Sequence, residues 1–93
     1  MILAAGILLM APLLGISAFS NPAKAQAYRN MTCGELWYAR NAIYARQGYC
    51  FKTVRARQVF GPRCYEPWGR LTPAQQRRVD QIIYWERYYG CRR

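Results

Sequence analysis

Apolar and polar residues are arranged differently in the two parts of this chain. From Met1 to Phe19 almost every residue is apolar and none carries a charge. From residue 28 onward, apolar residues recur at intervals of three and four positions, which is the period of an amphipathic helix. No stretch alternates with a period of two for long enough to predict a strand. We therefore expect residues 28–93 to form a small all-α domain with three helices.

The first helix is predicted over about 33–47. Thr32 and Glu35 match the T-x-x-E capping box, in which each side chain satisfies the backbone N–H of the other residue. We expect Gly48 to end the helix, because glycine most readily takes the left-handed conformation found there. The apolar stripe along the helix consists of Leu36, Ala39 and Ile43, with Trp37 and Tyr44 beside it.

The second helix is predicted to be short, over about 54–60. Thr53 is its candidate N-cap, and Gly61-Pro62 should end it. The residues that follow, 63–71, contain two aromatic residues and a proline with no helical period. We expect them to form an irregular loop.

The third helix, over about 73–89, has the clearest start. Thr72 and Gln75 form a second capping box around Pro73, which stands at the first helical position. Gly90 should end this helix in the same way as the first. Its apolar stripe consists of Val79, Ile82 and Ile83.

Residues 1–27 match a secretory signal peptide. Asn21-Pro22 interrupts the apolar run, and the small-x-small sequence Ala25-Gln26-Ala27 predicts cleavage before Tyr28. A second sequence of this type, Ala23-Lys24-Ala25, would place the cut two residues earlier. No Lys or Arg precedes the apolar run, so we expect the natural start to lie upstream of Met1.

An uncleaved membrane anchor is the alternative, since an apolar run of about 18 residues or more can span a bilayer. Pro12 and the alanine-rich end of the segment favour cleavage. We therefore expect an exported protein that is periplasmic or extracellular after cleavage near Ala27.

All four cysteines lie in the predicted mature domain: Cys33, Cys50, Cys64 and Cys91. An even number of cysteines behind an export signal favours disulfides, which a domain this short needs because its core is small. A zinc site is disfavoured, because no two cysteines have the CxxC spacing and the chain has no histidine. We expect no metal and no other cofactor.

Helix length removes one of the three possible pairings. Cys33 and Cys50 flank a helix more than about 20 Å long, whereas a disulfide requires Cα atoms within about 7 Å. An antiparallel arrangement that brings Cys33 to Cys91 places Ile43 opposite Ile82, Leu36 opposite Tyr88, and Arg40 opposite Glu86. Helix length leaves two pairings open. Because the register that joins Cys33 to Cys91 also pairs Arg40 with Glu86, we predict the disulfides Cys33–Cys91 and Cys50–Cys64.

Arg40 and Glu86 each lie on the apolar stripe of their helix, where an unpaired charge would be costly. The register that joins Cys33 to Cys91 also brings these two charges together. We therefore predict an Arg40–Glu86 salt bridge in or near the core.

The run RNAIYARQGY at residues 40–49, followed by Phe51-Lys52, resembles the YARHG domain, a family named after its five-residue signature. The resemblance spans roughly Cys33 to Cys91. It implies an exported bacterial protein of the cell envelope or the medium, without implying a biochemical activity. This chain has Gln47 where the signature has histidine, so any role that needs an imidazole is unavailable here.

The residues present argue against catalysis. Without histidine, a serine or cysteine nucleophile lacks its usual base, and residues 28–93 contain no serine. We expect Glu35 to serve as a cap, Glu86 to pair with Arg40, and Asp80 to pair with Arg77 on the helix surface. Glu66 alone cannot supply the two carboxylates of glycoside hydrolysis. We expect no enzymatic activity.

The charge is strongly positive, with 14 Lys and Arg against 4 Asp and Glu. Arginine can bind phosphates and carboxylates in a bidentate manner and can stack on aromatic rings. The arginines outside the predicted stripes, together with nearby aromatic residues, form a candidate binding surface: Arg55, Arg57, Arg63, Tyr65, Trp68, Arg70, Arg77 and Arg78.

The expected function is that of a non-catalytic basic domain that binds anionic envelope polymers or lipid headgroups. The alternative is an interaction or inhibitor domain for an envelope protein, with Tyr65 and Trp68 at the contact. A solvated basic coat without a ligand would give the same composition. The predicted compartment disfavours nucleic acid, and we expect membrane contact at the surface only.

Overall fold

The computed structural model describes residues 27–92, so the predicted signal peptide at 1–27, apart from its last residue, lies outside the described residues. Residues 27–29 are helical. Three further α-helices follow: α1 (Cys33–Arg46), α2 (Val54–Phe60) and α3 (Pro73–Tyr88). No strand occurs within residues 27–92, where a single isolated bridge joins Cys50 to Arg63. The prediction of an all-α domain is confirmed.

The predicted capping residues define where each helix begins. The Thr32 hydroxyl accepts from the Glu35 N–H, and the Glu35 carboxylate accepts from the Thr32 N–H. Thr72 and Gln75 make the same reciprocal pair at α3, and Thr53 accepts from the Ala56 N–H at α2. These bonds satisfy backbone donors that have no partner inside a helix.

Helices α1 and α3 both end one residue earlier than predicted, and both end in the same motif. In α3, Gly90 donates to Arg87 and Cys91 donates to Glu86, the two bonds of a Schellman motif. Gly90 has a φ of 67°, so it takes the left-handed conformation that this motif requires.

Both predicted disulfides are present. Cys33 is the first residue of α1 and Cys91 follows the end of α3, and their Cα atoms are 5.5 Å apart. Cys50 and Cys64 are also joined, with Cα atoms 4.0 Å apart. The Cys33–Cys91 bond fixes the start of α1 beside the end of α3, so the two helices run antiparallel.

The main core cluster lies between α1 and α3. It contains Leu36 and Ile43 from α1, Val79 and Ile82 from α3, and Tyr28 from the segment before α1. Tyr88, which the predicted register places opposite Leu36, is 67% exposed and does not belong to this cluster, whereas Leu36 is completely buried. Tyr28, only 8% exposed, is the residue that extends the cluster beyond the two helices.

A second, smaller core cluster lies under α2. Its buried members are Ala45, Phe51 and Ala56. The Phe60 ring stacks on Phe51 with a centroid separation of 5.4 Å. Tyr44 packs against both clusters and therefore links α2 to the α1–α3 pair.

Candidate functional site

Arg40 and Glu86 form a buried ion pair between α1 and α3. Arg40 donates from Nε to Glu86 Oε1 at 2.8 Å and from Nη2 to Oε2 at 3.0 Å. The Glu86 side chain is 1% exposed and that of Arg40 is 15% exposed. The bidentate geometry satisfies both carboxylate oxygens, as a buried carboxylate requires. The guanidinium and carboxylate groups are thus bound to each other within the domain.

The YARQG sequence at residues 44–48 forms the end of α1. Gly48 donates to Ala45 and Tyr49 donates to Tyr44, which together make a second Schellman motif. The rings of Tyr44 and Tyr49 contact each other at a centroid separation of 5.5 Å. An apolar contact between these two positions commonly accompanies the motif. The signature therefore encodes a helix terminus.

The loop at residues 61–71 folds back over this terminus. Tyr65 donates its N–H to the Gly48 carbonyl at 3.0 Å, and Gly69 donates to the Gln47 carbonyl at 2.7 Å. The Tyr65 hydroxyl donates to the Ala45 carbonyl at 3.3 Å. The backbone carbonyls at the end of α1 are thus satisfied by the loop.

The two chain segments approach so closely that only glycine fits at two positions. A Cβ at Gly48 would collide with the Tyr65 carbonyl oxygen, and a Cβ at Gly69 would lie 2.6 Å from Tyr49 Cδ1. Both glycines also have positive φ, at 72° and 88°. Glycine is therefore required here for space as well as for conformation.

Gln47, at the position of the signature histidine, joins three elements. Its amide nitrogen donates to the Arg70 carbonyl at 3.0 Å, and its amide oxygen accepts from Gln75 Nε2 at 3.2 Å. The side chain thereby connects the end of α1 to the loop and to the first turn of α3. A neutral imidazole also has one donor and one acceptor, so it could make the same number of bonds.

The loop also holds non-glycine residues in the left-handed region. Arg63, Cys64 and Trp68 have φ values of 54°, 72° and 58°. Such conformations are costly for residues with a Cβ and persist only where surrounding contacts impose them. Here the Cys50–Cys64 disulfide and the bonds to α1 impose them. Trp68 is held on this loop with its side chain 55% exposed.

Three of the predicted binding arginines use their guanidinium groups inside the domain. The Arg55 guanidinium carbon lies 3.7 Å from the centroid of the Trp37 ring, in a cation–π contact. Arg57 donates to the Phe51 carbonyl and Arg63 donates to the Phe60 carbonyl. These contacts fix the side chains while leaving their positive charges uncompensated.

The structure brings only part of the predicted surface together. Arg63, Tyr65, Trp68 and Arg70 share the loop, and Arg63 donates to the Tyr65 hydroxyl at 3.3 Å. A cavity of about 210 Å³ places Arg46 beside Arg63, with Tyr38 and Phe60 on its wall. Within residues 27–92 no hydrogen bond or ring contact joins Arg77 or Arg78 to this loop.

The acidic residues leave most of the arginines without partners. Asp80 accepts from Gln76 at 2.9 Å, and the expected Arg77–Asp80 surface pair is wrong because no salt bridge joins these two described residues. Glu35 is used in its capping box. In the described part of the chain, Arg40–Glu86 is the only salt bridge. The other arginines of residues 27–92 therefore carry uncompensated charge.

Sequence reasoning missed a cluster of aromatic rings near the end of α3. Tyr84 and Trp85 contact each other, as do Tyr88 and Tyr89. Tyr84 and Tyr88 are four positions apart, as are Trp85 and Tyr89, which places each pair on one side of the helix. The spacing of these four residues is visible in the sequence, but none of them belongs to the predicted apolar stripe of Val79, Ile82 and Ile83.

Neither a metal site nor a membrane-spanning helix is found where the structure describes the chain. Between residues 27 and 92 no group of three or more Cys, Asp or Glu side chains could hold a metal ion. No helix in the same range is both long enough and apolar enough to cross a bilayer.

One family model matches the part of the chain that contains the signature. The model of the YARHG domain family matches residues 14–87 of this chain. No match was found among curated proteins or among solved structures. Because the family model covers most of the chain, the protein belongs to the YARHG domain family.

Proposed function

We propose that this protein is an exported, non-catalytic domain that binds a polyanionic component of the cell envelope. The observation that carries the proposal is the set of arginines without carboxylate partners in residues 27–92. Phosphate and carboxylate groups are the ligands that guanidinium groups bind best. A surface with this much uncompensated positive charge attracts such groups and repels cationic ones.

The proposed binding surface centres on the loop at residues 61–71 and the neighbouring end of α1. Arg46 and Arg63 lie on one cavity there, and Arg70 is placed by the bond between its carbonyl and Gln47. The disulfide and the two close-fitting glycines keep the loop in one conformation. A rigid surface loses less conformational entropy on binding than a mobile one does.

We also propose that the protein is exported and that residues 1–27 are its signal peptide. Two disulfides are typical of proteins that fold in an oxidising compartment. Tyr28 belongs to the main core, so cleavage before it would leave the core intact. A cut after Ala25 would in addition retain the bond from the Asn30 N–H to the Ala27 carbonyl.

Co-sedimentation with isolated envelope fractions tests this function. We expect strong retention of the oxidised protein at low salt and release as salt rises, because exposed charges are screened. Arg46→Gln combined with Arg70→Gln should weaken retention, whereas Gln58→Ala combined with Gln81→Ala, both exposed and uncharged positions, should not. Retention that does not change with salt concentration, or no retention at all, contradicts the proposal.

Trp68 favours a second candidate, binding to an envelope protein. An exposed tryptophan held at positive φ on a fixed loop has the features of an interface hot spot. Capture of one defined protein that is lost with Trp68→Ala and unaffected by salt would select this candidate over the first.

A further inference from the structure

Three exposed tyrosines and a tryptophan that is partly buried against the main core form a patch at the C-terminal end of α3. It is here called the aromatic patch and consists of Tyr84, Trp85, Tyr88 and Tyr89. The ring centroids of Tyr84 and Trp85 are 4.9 Å apart, and those of Trp85 and Tyr88 are 5.3 Å apart. Tyr84 is 59% exposed and Tyr88 is 67% exposed. An exposed cluster of large rings on so small a domain indicates a contact surface.

The chemistry of the patch is amphipathic throughout. Every one of its rings carries a polar group, either a tyrosine hydroxyl or the indole N–H, and no aliphatic or phenylalanine side chain belongs to it. Tyrosine and tryptophan are enriched at membrane–water interfaces, because their amphipathic rings fit the headgroup level, where one end is apolar and the other is hydrated.

Two arginines, Arg29 and Arg87, lie beside the patch. The Arg29 guanidinium carbon lies 5.9 Å from the centroid of Trp85. Arg87 follows Tyr84 by three positions and therefore lies on the same side of α3. Within residues 27–92 neither arginine pairs with a carboxylate. The nearest exposed acid on the helix, Asp80, precedes Tyr84 by one turn and accepts from Gln76.

The chain also enters the folded domain beside this patch. The Tyr89 hydroxyl donates to the Arg29 carbonyl, so the segment before α1 is held against the end of α3. Arg29 is thereby kept beside the patch.

We propose that the aromatic patch and its arginines bind the surface of an anionic lipid bilayer. The rings would lie at headgroup depth and the guanidinium groups would contact lipid phosphates. This inference rests on the proposed function and narrows its polyanion to a lipid surface. A second copy of this chain is a poorer occupant, because the arginines of two facing patches would repel each other.

Vesicle co-sedimentation tests the inference with the oxidised protein recovered after export, its N-terminus fixed by intact mass. We compare phosphatidylglycerol vesicles with phosphatidylcholine vesicles, and the wild type with Tyr84→Ser/Tyr88→Ser. Val54→Ser/Val59→Ser is the matched control, because it alters exposed apolar side chains elsewhere without changing charge. Tyr84→Phe/Tyr88→Phe retains the rings and guards against an effect of misfolding.

We expect the wild type to prefer anionic vesicles, and Tyr84→Ser/Tyr88→Ser to bind them about tenfold more weakly, a loss measurable as a shift in Kd. The matched control and the phenylalanine variant should stay within about twofold of the wild type. Equal loss in the control, or no loss in the serine variant, overturns the inference.

Two further measurements separate this inference from the proposed function. Binding to a polyphosphate column without binding to anionic vesicles would contradict the lipid inference and leave the proposed function standing. Binding to neither the polyphosphate column nor the anionic vesicles would contradict both the lipid inference and the proposed function. Binding to lipid-free peptidoglycan sacculi that is lost with Tyr84→Ser/Tyr88→Ser would reassign the patch to a glycan and also overturn the lipid inference.

Discussion

The carbonyl oxygen of Tyr65 occupies the space that a Cβ at Gly48 would fill. Gly48 ends α1 and Tyr65 belongs to the loop that folds over that end, so the contact joins the family signature to the proposed binding surface. The close approach follows from the bond that Tyr65 donates to the Gly48 carbonyl. The signature glycine therefore determines where the loop lies as well as where the helix stops.

Gly48→Ala tests this relationship against a matched position. We expect a loss of about 3 kcal/mol or more in the free energy of unfolding, because the new methyl group must displace backbone atoms. Gly90→Ala is the control, since Gly90 has the same role in α3 and a similar φ with nothing within 4 Å of its Cβ position. Its cost should be about 1 kcal/mol, the cost of the left-handed conformation alone. Equal losses in thermal unfolding would contradict the close approach.

Glu86→Gln should lower the free energy of unfolding by about 3 kcal/mol, because it leaves the Arg40 charge partly buried without a counter-charge. Glu35→Gln is the comparison, since it removes an exposed carboxylate of the same size and keeps an acceptor in the capping box. It should cost under about 1 kcal/mol. Denaturant unfolding of the two variants measures the difference. An unchanged midpoint for Glu86→Gln would show that the pair contributes nothing.

Gln47→Ala should cost about 1–2 kcal/mol, because it removes both bonds by which the side chain connects the loop to α3. Gln47→His should retain most of the stability at pH 8, where the neutral imidazole can still donate and accept.

Protonation of the imidazole in Gln47→His removes the nitrogen that would accept from Gln75. Because the folded state then favours the neutral form, folding should lower the pKa of the introduced histidine. The unfolded chain then binds more protons than the folded one, and stability falls as the pH drops below about 6.5. Thermal unfolding between pH 5 and pH 8 measures this change, with the wild type as the control over the same range. A melting temperature of Gln47→His that follows the wild type at every pH would exclude this bonding role.

The two disulfides should contribute unequally. The loop-entropy relation gives roughly 4 kcal/mol for Cys33–Cys91, with a sequence separation of 58, and roughly 3 kcal/mol for Cys50–Cys64, with a separation of 14. Paired Cys→Ser variants, unfolded in denaturant without reductant, measure both contributions. If either pair can be replaced with no change in midpoint, that disulfide is dispensable.

Local signals in the sequence were sufficient to predict the helices and the cysteine pairing. The capping boxes at Thr32 and Thr72 define helix starts through contacts three residues apart, which are legible in any sequence. Helix length excluded one of the three pairings, and the antiparallel register was chosen because it also pairs Arg40 with Glu86. These features depend on spacing, so they did not require knowledge of the folded structure.

The parts that were not predicted depend on contacts between distant residues. The loop at 61–71 has no periodicity, and its positive φ values are imposed by bonds to the end of α1. Tyr28 is buried because the segment before α1 folds onto the helices, which no local pattern indicates. Arg55 and Arg57 looked free on a helix surface, yet Trp37 and the Phe51 carbonyl bind their guanidinium groups.

The central claim is that uncompensated arginines bind a polyanion, and the salt dependence of binding to polyphosphate tests it most directly. We predict that the logarithm of the association constant falls linearly with the logarithm of the NaCl concentration, because binding releases counterions. Arg46→Gln/Arg70→Gln should make the slope shallower by about one to two units, whereas Gln58→Ala/Gln81→Ala should leave it unchanged. An association constant that does not change with salt would contradict the account.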